Sequence, residues 1–272
     1  MKLGISTYTY PWAFGIPGQP QPVRLMTHAD LIDAARRLGA SVVQIADNAP
    51  LSFDGSIVSV EADAGIEIEL GTRGTDPRIL AGSIAACERV GARVLRSVPD
   101  VVLPPRHDDA GLADAIAADL AAVIPALEAA GVTLCVENYE GCPVAVLARV
   151  IDAVGSRFVR VCLDSLNSLG RGEGYEAAVS LLGPLTGNLH VKDYAIRRAD
   201  HRLGFLVEGR PAGDGDLPLD DLLARVPESV SAIVELWTPW QGDIDATIAL
   251  EAEWAEQSAA ELRDAIARRG TR

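Results

Sequence analysis

Short β-rich runs alternate with amphipathic helical stretches about eight times along the 272-residue chain. Alternation of this kind produces parallel strands joined by helices, and eight such units in a chain of this size favour a (β/α)₈ barrel. We therefore predict an α/β fold in which residues 1–272 form a single TIM-barrel domain. A doubly wound open sheet is the alternative, but we find no glycine-rich dinucleotide or phosphate-binding motif to support it.

The pattern places each element approximately. Predicted strands lie near residues 3–9, 42–46, 66–71, 93–98, 132–137, 158–164, 187–192 and 231–237. Predicted helices lie near residues 28–39, 77–91, 110–130, 143–154, 175–183, 218–226 and 244–268. Thr27 followed by Asp30 resembles a capping box. Long loops are expected at 10–26, 97–108 and 193–216, on the face of a barrel where function is usually found.

The charge balance argues against nucleic acid as a partner. The chain has 38 acidic and 24 basic residues, a formal net charge of −14, whereas phosphate binding requires a basic surface. The amino terminus lacks a signal-peptide pattern, and no apolar run approaches the roughly 18–20 residues of a membrane span. We expect a cytoplasmic protein with reduced thiols and no membrane contact. The terminal helix and the long loops leave room for a homo-oligomer.

Four predicted strands in the second half end on residues that bind metals in other proteins. These residues are Glu137, Asp164, His190 and Glu235. Side chains alternate between the two faces of a strand, and the opposite face is aliphatic in all four, so these residues should point into the barrel. Buried carboxylates need compensation, and three carboxylates with one imidazole suit Mn²⁺ or Mg²⁺ and permit Co²⁺ or Zn²⁺. The alternative is a set of carboxylates paired with arginine and lysine.

Lys192 should also face the barrel interior, two residues after His190. A lysine in this place can orient a substrate, donate a proton or form a Schiff base. We favour orientation or charge stabilisation, since nothing nearby in sequence supports the amine role. The alternative is a salt bridge to Glu137 or Asp164.

Two arginines end the third and fourth predicted strands at the same rim. Arg73 and Arg96 would together bind a substrate carboxylate or phosphate, because a guanidinium binds such groups with two parallel hydrogen bonds. The alternative is that they pair with Glu69 or Asp47, which would leave no specific role in substrate binding.

These residues make the sequence resemble the xylose isomerase-like TIM-barrel superfamily of sugar isomerases and epimerases over essentially its whole length. The resemblance implies that the four ligand-type residues bind one divalent metal, with Mn²⁺ favoured. It also implies that the two glutamates move protons on opposite faces of an enediolate, in a small sugar or sugar-acid substrate. The matching segments are Val-Glu-Asn at 136–138, Leu-Asp-Ser-Leu-Asn-Ser at 163–168, His-Val-Lys-Asp-Tyr at 190–194 and Val-Glu-Leu-Trp at 234–237.

One departure from the family pattern bears on the reaction. Many epimerase members carry a histidine where this chain has Asn167, and His201 is the candidate to replace it. The openings at residues 5–12 (ISTYTYPW) and 42–48 (VVQIADN) resemble decarboxylases of 3-oxo sugar acids, such as the 3-oxo-isoapionate type. Loss of CO₂ would form the same enediolate that proton removal forms in an epimerase.

An isomerase or epimerase is the family-level expectation, and a decarboxylase is the alternative. A C-glycoside-cleaving lyase subunit and a non-catalytic binding module stay open. An apurinic endonuclease is excluded because the chain is acidic and has only 4 histidines. Trp12, Phe14, Trp237 and Trp240 are candidates to cover the apolar faces of a sugar, with rim packing as the alternative. The predicted catalytic residues are Glu137, Glu235 and Lys192, and the predicted substrate contacts are Arg73, Arg96, Trp12, Asn167, His201 and Trp237.

Overall fold

The structure is a computed structural model that describes residues 1–51, 65–99 and 109–271. Its barrel strands are β1 (Lys2–Ser6), β2 (Val42–Ile45), β3 (Glu67–Arg73), β4 (Val94–Val98), β5 (Thr133–Glu137), β6 (Val159–Asp164), β7 (Thr186–Val191) and β10 (Ser231–Val234). They form a closed parallel barrel in the order β1-β10-β7-β6-β5-β4-β3-β2. The predicted (β/α)₈ architecture is confirmed, and the open sheet is excluded.

The helices surround this barrel; the seven predicted helices are present in order, and the short α1 lies within the loop predicted at 10–26. They are α1 (Pro11–Phe14), α2 (His28–Leu38), α3 (Pro77–Val90), α4 (Asp109–Ala130), α5 (Val144–Val154), α6 (Tyr175–Leu182), α7 (Leu219–Ala224) and α8 (Ile244–Gly270). The capping box is confirmed: the Thr27 hydroxyl accepts from the N–H of Asp30 at 3.2 Å, and the Thr27 N–H donates back to the Asp30 carboxylate at 2.8 Å. The loop predicted at 97–108 lies outside the described residues from position 100 onward.

Strands β1 and β10 end earlier than predicted, at Ser6 and Val234. A turn after β1 is the reason, because the N–H of Thr9 donates to the Ser6 carbonyl at 2.9 Å. The Thr9 hydroxyl then donates to the Val234 carbonyl at 2.5 Å, which joins the ends of the two strands. Glu235 therefore follows β10 directly, at the carboxyl-terminal face of the barrel.

Helix α4 is the only helix among the described residues that is long and apolar enough to cross a membrane by length and composition. It nevertheless packs between α3 and α5 in the outer ring of the barrel. Its buried side chains recur with helical spacing, at Ile116, Leu120, Val123 and Leu127. This buried stripe packs on the neighbouring elements, and much of the remaining alanine-rich surface of the helix is exposed.

The segment 193–216 is not the loop that we predicted. It contains an antiparallel hairpin of β8 (Asp193–Arg198) and β9 (Phe205–Arg210). We did not predict these strands because the segment is rich in glycine and charged residues, although Phe205, Leu206 and Val207 form a short β-prone run. The hairpin leaves the barrel at the same face as the predicted metal ligands, so it borders the site.

Asp193 ties the two ends of this segment together. One of its carboxylate oxygens accepts from the N–H groups of Gly213 at 2.9 Å and Gly215 at 3.1 Å. The other oxygen accepts from the N–H groups of Tyr194 at 2.7 Å and Leu217 at 3.0 Å. The aspartate of the His-x-Lys-Asp segment is thus a structural group that fixes where the chain leaves and returns.

Glu251 on α8 joins the last helix to the first loop. Its buried carboxylate accepts from the N–H of Trp12 at 2.9 Å and from the N–H of Ala13 at 3.0 Å, at the start of α1. Burial raises the pKa of Glu251 to about 8, although the two backbone donors favour the charged form. No sequence pattern predicted this contact, because a glutamate in a terminal helix usually faces solvent.

Stability is expected to fall as the pH rises, because of Glu251. In an unfolded chain this carboxyl has the ordinary glutamate pKa of about 4.3. In the folded protein its pKa is about 8. Its contribution is therefore complete below about pH 4 and is lost as the pH rises through about 8. The melting temperature should fall less steeply between about pH 5 and 8 in Glu251→Gln than in the wild type. Equal slopes in the two proteins would contradict this assignment.

Candidate metal centre

The four predicted ligands converge at the carboxyl-terminal face of the barrel. The register of β6 and β7 sets Asp164 beside His190, and Glu137 and Glu235 come from β5 and from the residue after β10. All four side chains are buried. Ligand atoms of Asp164, His190 and Glu235 lie within 4.8 Å of one another. The strand ends thus bring together residues that are far apart in sequence.

His190 presents an unpartnered nitrogen to two of these carboxylates. Its Nε2 lies 2.9 Å from Oε1 of Gln44. Its Nδ1 lies 3.2 Å from Glu235 Oε1 and 3.6 Å from Glu137 Oε2. Within residues 1–51, 65–99 and 109–271, both His190 Nδ1 and Glu235 Oε1 are buried without a hydrogen-bond partner. A cation between them would satisfy both atoms.

The donor set fits a divalent metal. It combines imidazole nitrogen with carboxylate oxygens, which suits Mn²⁺, Mg²⁺, Co²⁺ or Zn²⁺. Cys162 is a rival ligand, since its sulfur groups with Glu137 and His190. Burial raises the pKa of the Cys162 thiol well above its usual range, and the thiol lies 3.3 Å from the Asn188 side-chain oxygen. We therefore assign Cys162 to the layer below the site.

The two glutamates differ in charge preference. Burial raises the pKa of Glu137, and Arg96 and His190 only partly oppose it. Burial acts on Glu235 in the same direction, but His190 and Lys192 outweigh it and lower the pKa to about 2. Glu235 therefore holds its negative charge beside the unpartnered His190 nitrogen.

Asn167 connects two of the candidate ligands. Its side-chain amide donates to Glu137 Oε1 at 2.7 Å, and its backbone N–H donates to Asp164 Oδ1 at 2.7 Å. It lies in a 3₁₀ turn, Asn167–Arg171, that begins just after β6. Asn138 supports the same turn through bonds to Asp164 and Ser168. The residue that departs from the epimerase pattern thus orients carboxylates in this chain.

Lys192 pairs with carboxylates of the site. Its ammonium lies 2.9 Å from Asp164 Oδ2 and 3.0 Å from Glu235 Oε2. The same group lies 5.1 Å from the ring centre of Trp237. The alternative of a salt bridge to Asp164 is therefore present, with Glu235 as the second partner. The paired Lys192 ammonium also lies at the cavity wall. A role of Lys192 in orienting a substrate is therefore compatible with these salt bridges.

Arg96 and Arg73 share Asp47, which follows β2. Arg96 Nη1 lies 2.7 Å from one Asp47 oxygen, and Arg73 Nε lies 3.2 Å from the other. Arg96 also pairs with Glu137 and is buried, whereas the Arg73 side chain is 38% exposed. Pairing with Asp47, one of the two alternatives, is therefore observed, and pairing with Glu69 is not among the contacts of the described residues. Arg73 keeps an accessible guanidinium at the site.

A cavity of about 160 Å³ opens above these residues. Tyr8 and Trp237 also line an adjacent apolar cleft, where Trp12 lies instead of in the cavity itself. The Trp12 indole donates to the Thr238 carbonyl at 2.8 Å, and its ring centre lies 5.3 Å from that of Trp240 with the two rings tilted by 38°. The residues that line the cavity are Tyr8, Arg73, Arg96, Glu137, Tyr139, Asn167, Lys192, Glu235 and Trp237.

His201 does not join this group. It is exposed in the turn between β8 and β9, where its Nδ1 accepts from the N–H of Leu203 at 3.1 Å. Replacement of the missing family histidine by His201 is therefore not supported by its position. Phe14 is buried and packs 6.1 Å from His28, which fits the rim-packing alternative.

Several site residues were missed from the sequence. Tyr8 and Tyr139 line the cavity, and each had only its place just after a predicted strand as a signal. Gln44 and Glu69 lie on inward faces of β2 and β3 beneath His190, where the same alternation of faces that identified the ligands would have placed them. We did not predict these polar residues on β2 and β3 because no ligand-type residue ends either strand.

Comparisons with known proteins assign the barrel to a family. The family model described as "Xylose isomerase-like TIM barrel" matches residues 72–265. The chain belongs to the xylose isomerase-like TIM-barrel family. It is also 30% identical over 268 residues to a 3-oxo-isoapionate decarboxylase of Pectobacterium atrosepticum, covering 95% of this chain and 94% of that protein. Members of this family include enzymes that act on small sugars.

Solved structures of other proteins share the fold. The IolI protein with a bound zinc atom matches with a TM-score of 0.73 and 19% identity, over 98% of this chain and 99% of that one. D-psicose 3-epimerase from Clostridium cellulolyticum, solved with D-tagatose, matches with a TM-score of 0.72 and 16% identity over 98% and 99% of the two chains. At these identities the likeness establishes the barrel and its topology alone.

Proposed function

We propose that this protein is a divalent-metal-dependent decarboxylase of a 3-oxo sugar acid. The observation that carries the proposal is a cavity with metal-type ligands on one wall and the accessible Arg73 guanidinium on another. A guanidinium binds a carboxylate with two charge-assisted hydrogen bonds, which are stronger than its hydrogen bonds to the hydroxyl groups of a neutral sugar, so this group favours a sugar acid. The relationship to a 3-oxo-isoapionate decarboxylase supports the same substrate class.

The reaction breaks one carbon–carbon bond. In a 3-oxo acid the bond between the carboxyl carbon and C2 breaks, CO₂ leaves, and the electron pair passes through C2 to the oxygen on C3. A proton must then reach C2. A metal held by Glu137, Asp164, His190 and Glu235 would supply Lewis acidity for the negative charge that develops on the substrate oxygens.

The chain's own groups would do the rest. Arg73 would bind and orient the substrate carboxylate, and the Lys192 ammonium would add positive charge near the developing enediolate. Glu137 would deliver the proton to carbon, since it lines the cavity and burial raises its pKa, whereas Glu235 keeps its negative charge. Tyr8 and Trp237 would cover the substrate and limit access of water.

Isomerisation or epimerisation of a sugar is the second candidate function. The presence of two glutamates on well-separated strands favours it, because β5 and β10 lie on different sides of the cavity, with β6 and β7 between them along one side of the barrel. Two such carboxylates could serve opposite faces of an enediolate. The pairing of Glu235 with Lys192 and the absence of the family histidine at Asn167 argue for decarboxylation first.

Protein loaded with Mn²⁺ is expected to release CO₂ from 3-oxo sugar acids. In D₂O the product should carry one deuterium on the carbon that lost CO₂, because that carbon takes its new hydrogen from a group in exchange with solvent. Headspace CO₂ and the proton spectrum of the product measure the two outcomes. Deuterium exchange into ketoses without CO₂ release from any 3-oxo acid would establish the epimerase instead.

A further inference from the structure

A chain of buried polar side chains continues from His190 into the barrel. Gln44 Oε1 lies 2.9 Å from His190 Nε2, and Gln44 Nε2 lies 3.0 Å from Glu69 Oε2. The Ser231 hydroxyl donates to the other oxygen of Glu69 at 2.5 Å. All these side chains are buried. They lie beneath the cavity, and the chemistry proposed above does not use Gln44 or Glu69.

The orientation of the Gln44 amide decides what it offers to His190. Its NH₂ group has two acceptors, Glu69 Oε2 and Asn188 Oδ1, each at 3.0 Å. Glu69 Oε2 also accepts from the Asn188 amide at 3.0 Å, so it is an acceptor at both contacts even if the other oxygen carries a proton. Turning Gln44 over would set its oxygen against two acceptors and leave buried groups unsatisfied, at a cost of about 1–3 kcal/mol.

We propose that Gln44 is a positioning residue that sets the tautomer of His190, and that Glu69 holds Gln44 in the orientation this requires. The Gln44 oxygen can only accept, so the contact requires a hydrogen on His190 Nε2. The neutral ring then carries its lone pair on Nδ1, the atom that faces Glu137 and Glu235. An amide achieves this without adding another negative charge directly beside the ligand carboxylates.

This inference rests on the metal-ligand role of His190 in the proposed function. Gln44→Met keeps the side-chain length but removes both the acceptor and the donors. The neutral ring should then populate both tautomers, and Zn²⁺ affinity should fall about 10–100-fold. Long-range ¹H–¹⁵N spectra of the metal-free protein at alkaline pH report the tautomer, and calorimetric titration with Zn²⁺ reports the affinity. The chain has 4 histidines, so a His190→Gln spectrum assigns the signal.

Two further variants separate positioning from general damage to the core. Ser231→Ala removes one donor to Glu69 but leaves the contact between Gln44 and His190, so it should keep the wild-type tautomer and affinity. Glu69→Met retains Gln44 but removes its main acceptor, so it should shift both readouts in the direction of Gln44→Met. Thermal unfolding of each variant shows that the protein is folded.

An Nδ1–H ring in the wild type would overturn the proposal, and that measurement depends on no variant. A wild-type tautomer in Gln44→Met, with Zn²⁺ affinity within about twofold of the wild type, would overturn it as well, against the 10–100-fold loss expected for such a partner. Neither readout uses a substrate. Failure to decarboxylate would therefore count against the proposed function alone.

Discussion

Glu235→Gln is expected to abolish the stabilisation of the protein by Mn²⁺ and to lower kcat/KM by about 10³-fold or more, equivalent to about 4 kcal/mol of lost transition-state stabilisation. Glu235 Oε1 lies 3.2 Å from His190 Nδ1 and is buried without a donor among the described residues. An amide keeps the shape of the side chain but removes the charge that a cation would neutralise. The melting temperature with and without Mn²⁺, and CO₂ release, measure the two effects.

Glu67→Gln is the matched control for this experiment. Glu67 begins β3 at the opposite end of the barrel, where it pairs with Lys2 in an exposed salt bridge. The same chemical change there should leave both Mn²⁺ stabilisation and turnover at wild-type values, because exposed pairs of this kind contribute only about 0–1 kcal/mol. A Glu235→Gln protein that still gains melting temperature from Mn²⁺ would remove Glu235 from the ligand set.

Arg96→Met should destabilise the metal-free protein by about 3–5 kcal/mol, since loss of one partner leaves buried charges uncompensated. Arg96 is 3% exposed and pairs with both Glu137 and Asp47. Burial alone would lower the pKa of Arg96, but the surrounding carboxylates raise it, so this side chain is a permanent cation in the site. Urea unfolding in the presence of a chelator measures the loss.

Arg73→Met tests whether burial is the cause of the destabilisation expected in Arg96→Met. Arg73 pairs with the same Asp47, but its side chain is 38% exposed, so solvent screens the pair. The expected loss of stability is about 0–1 kcal/mol, while the KM for a sugar acid should rise if Arg73 binds the carboxylate. Comparable destabilisation in the two variants would show that Arg96 is no more important to stability than a rim arginine.

The barrel and the four candidate ligands could be predicted because both follow from local periodicity. Each ligand ends a run whose opposite face is aliphatic, and parallel strands in a barrel bring their carboxyl-terminal ends to one face. The meeting of Asp164 and His190 thus follows from topology. The sequence did not show that both arginines share Asp47, because three strand ends and their rotamers decide which carboxylate lies within reach.

Long-range contacts account for what was missed. Glu251 is buried only because residues at the start of α1 fold over α8, and neither segment contains a signal for the other. The hairpin was missed because two strands that pair only with each other need neither an apolar alternation nor a place in the core. His201 was a candidate by residue type, but its location depends on how that hairpin projects.

The four backbone hydrogen bonds that the Asp193 carboxylate accepts make the hairpin a self-contained insertion. The chain departs at Tyr194 and returns at Leu217, with both N–H groups held by one carboxylate oxygen. Shortening or lengthening the hairpin between these points need not alter the geometry of β7 or the positions of His190 and Lys192. The insertion can therefore vary while the floor of the cavity stays constant, so that one set of candidate ligands can be combined with different structures at the same face of the barrel.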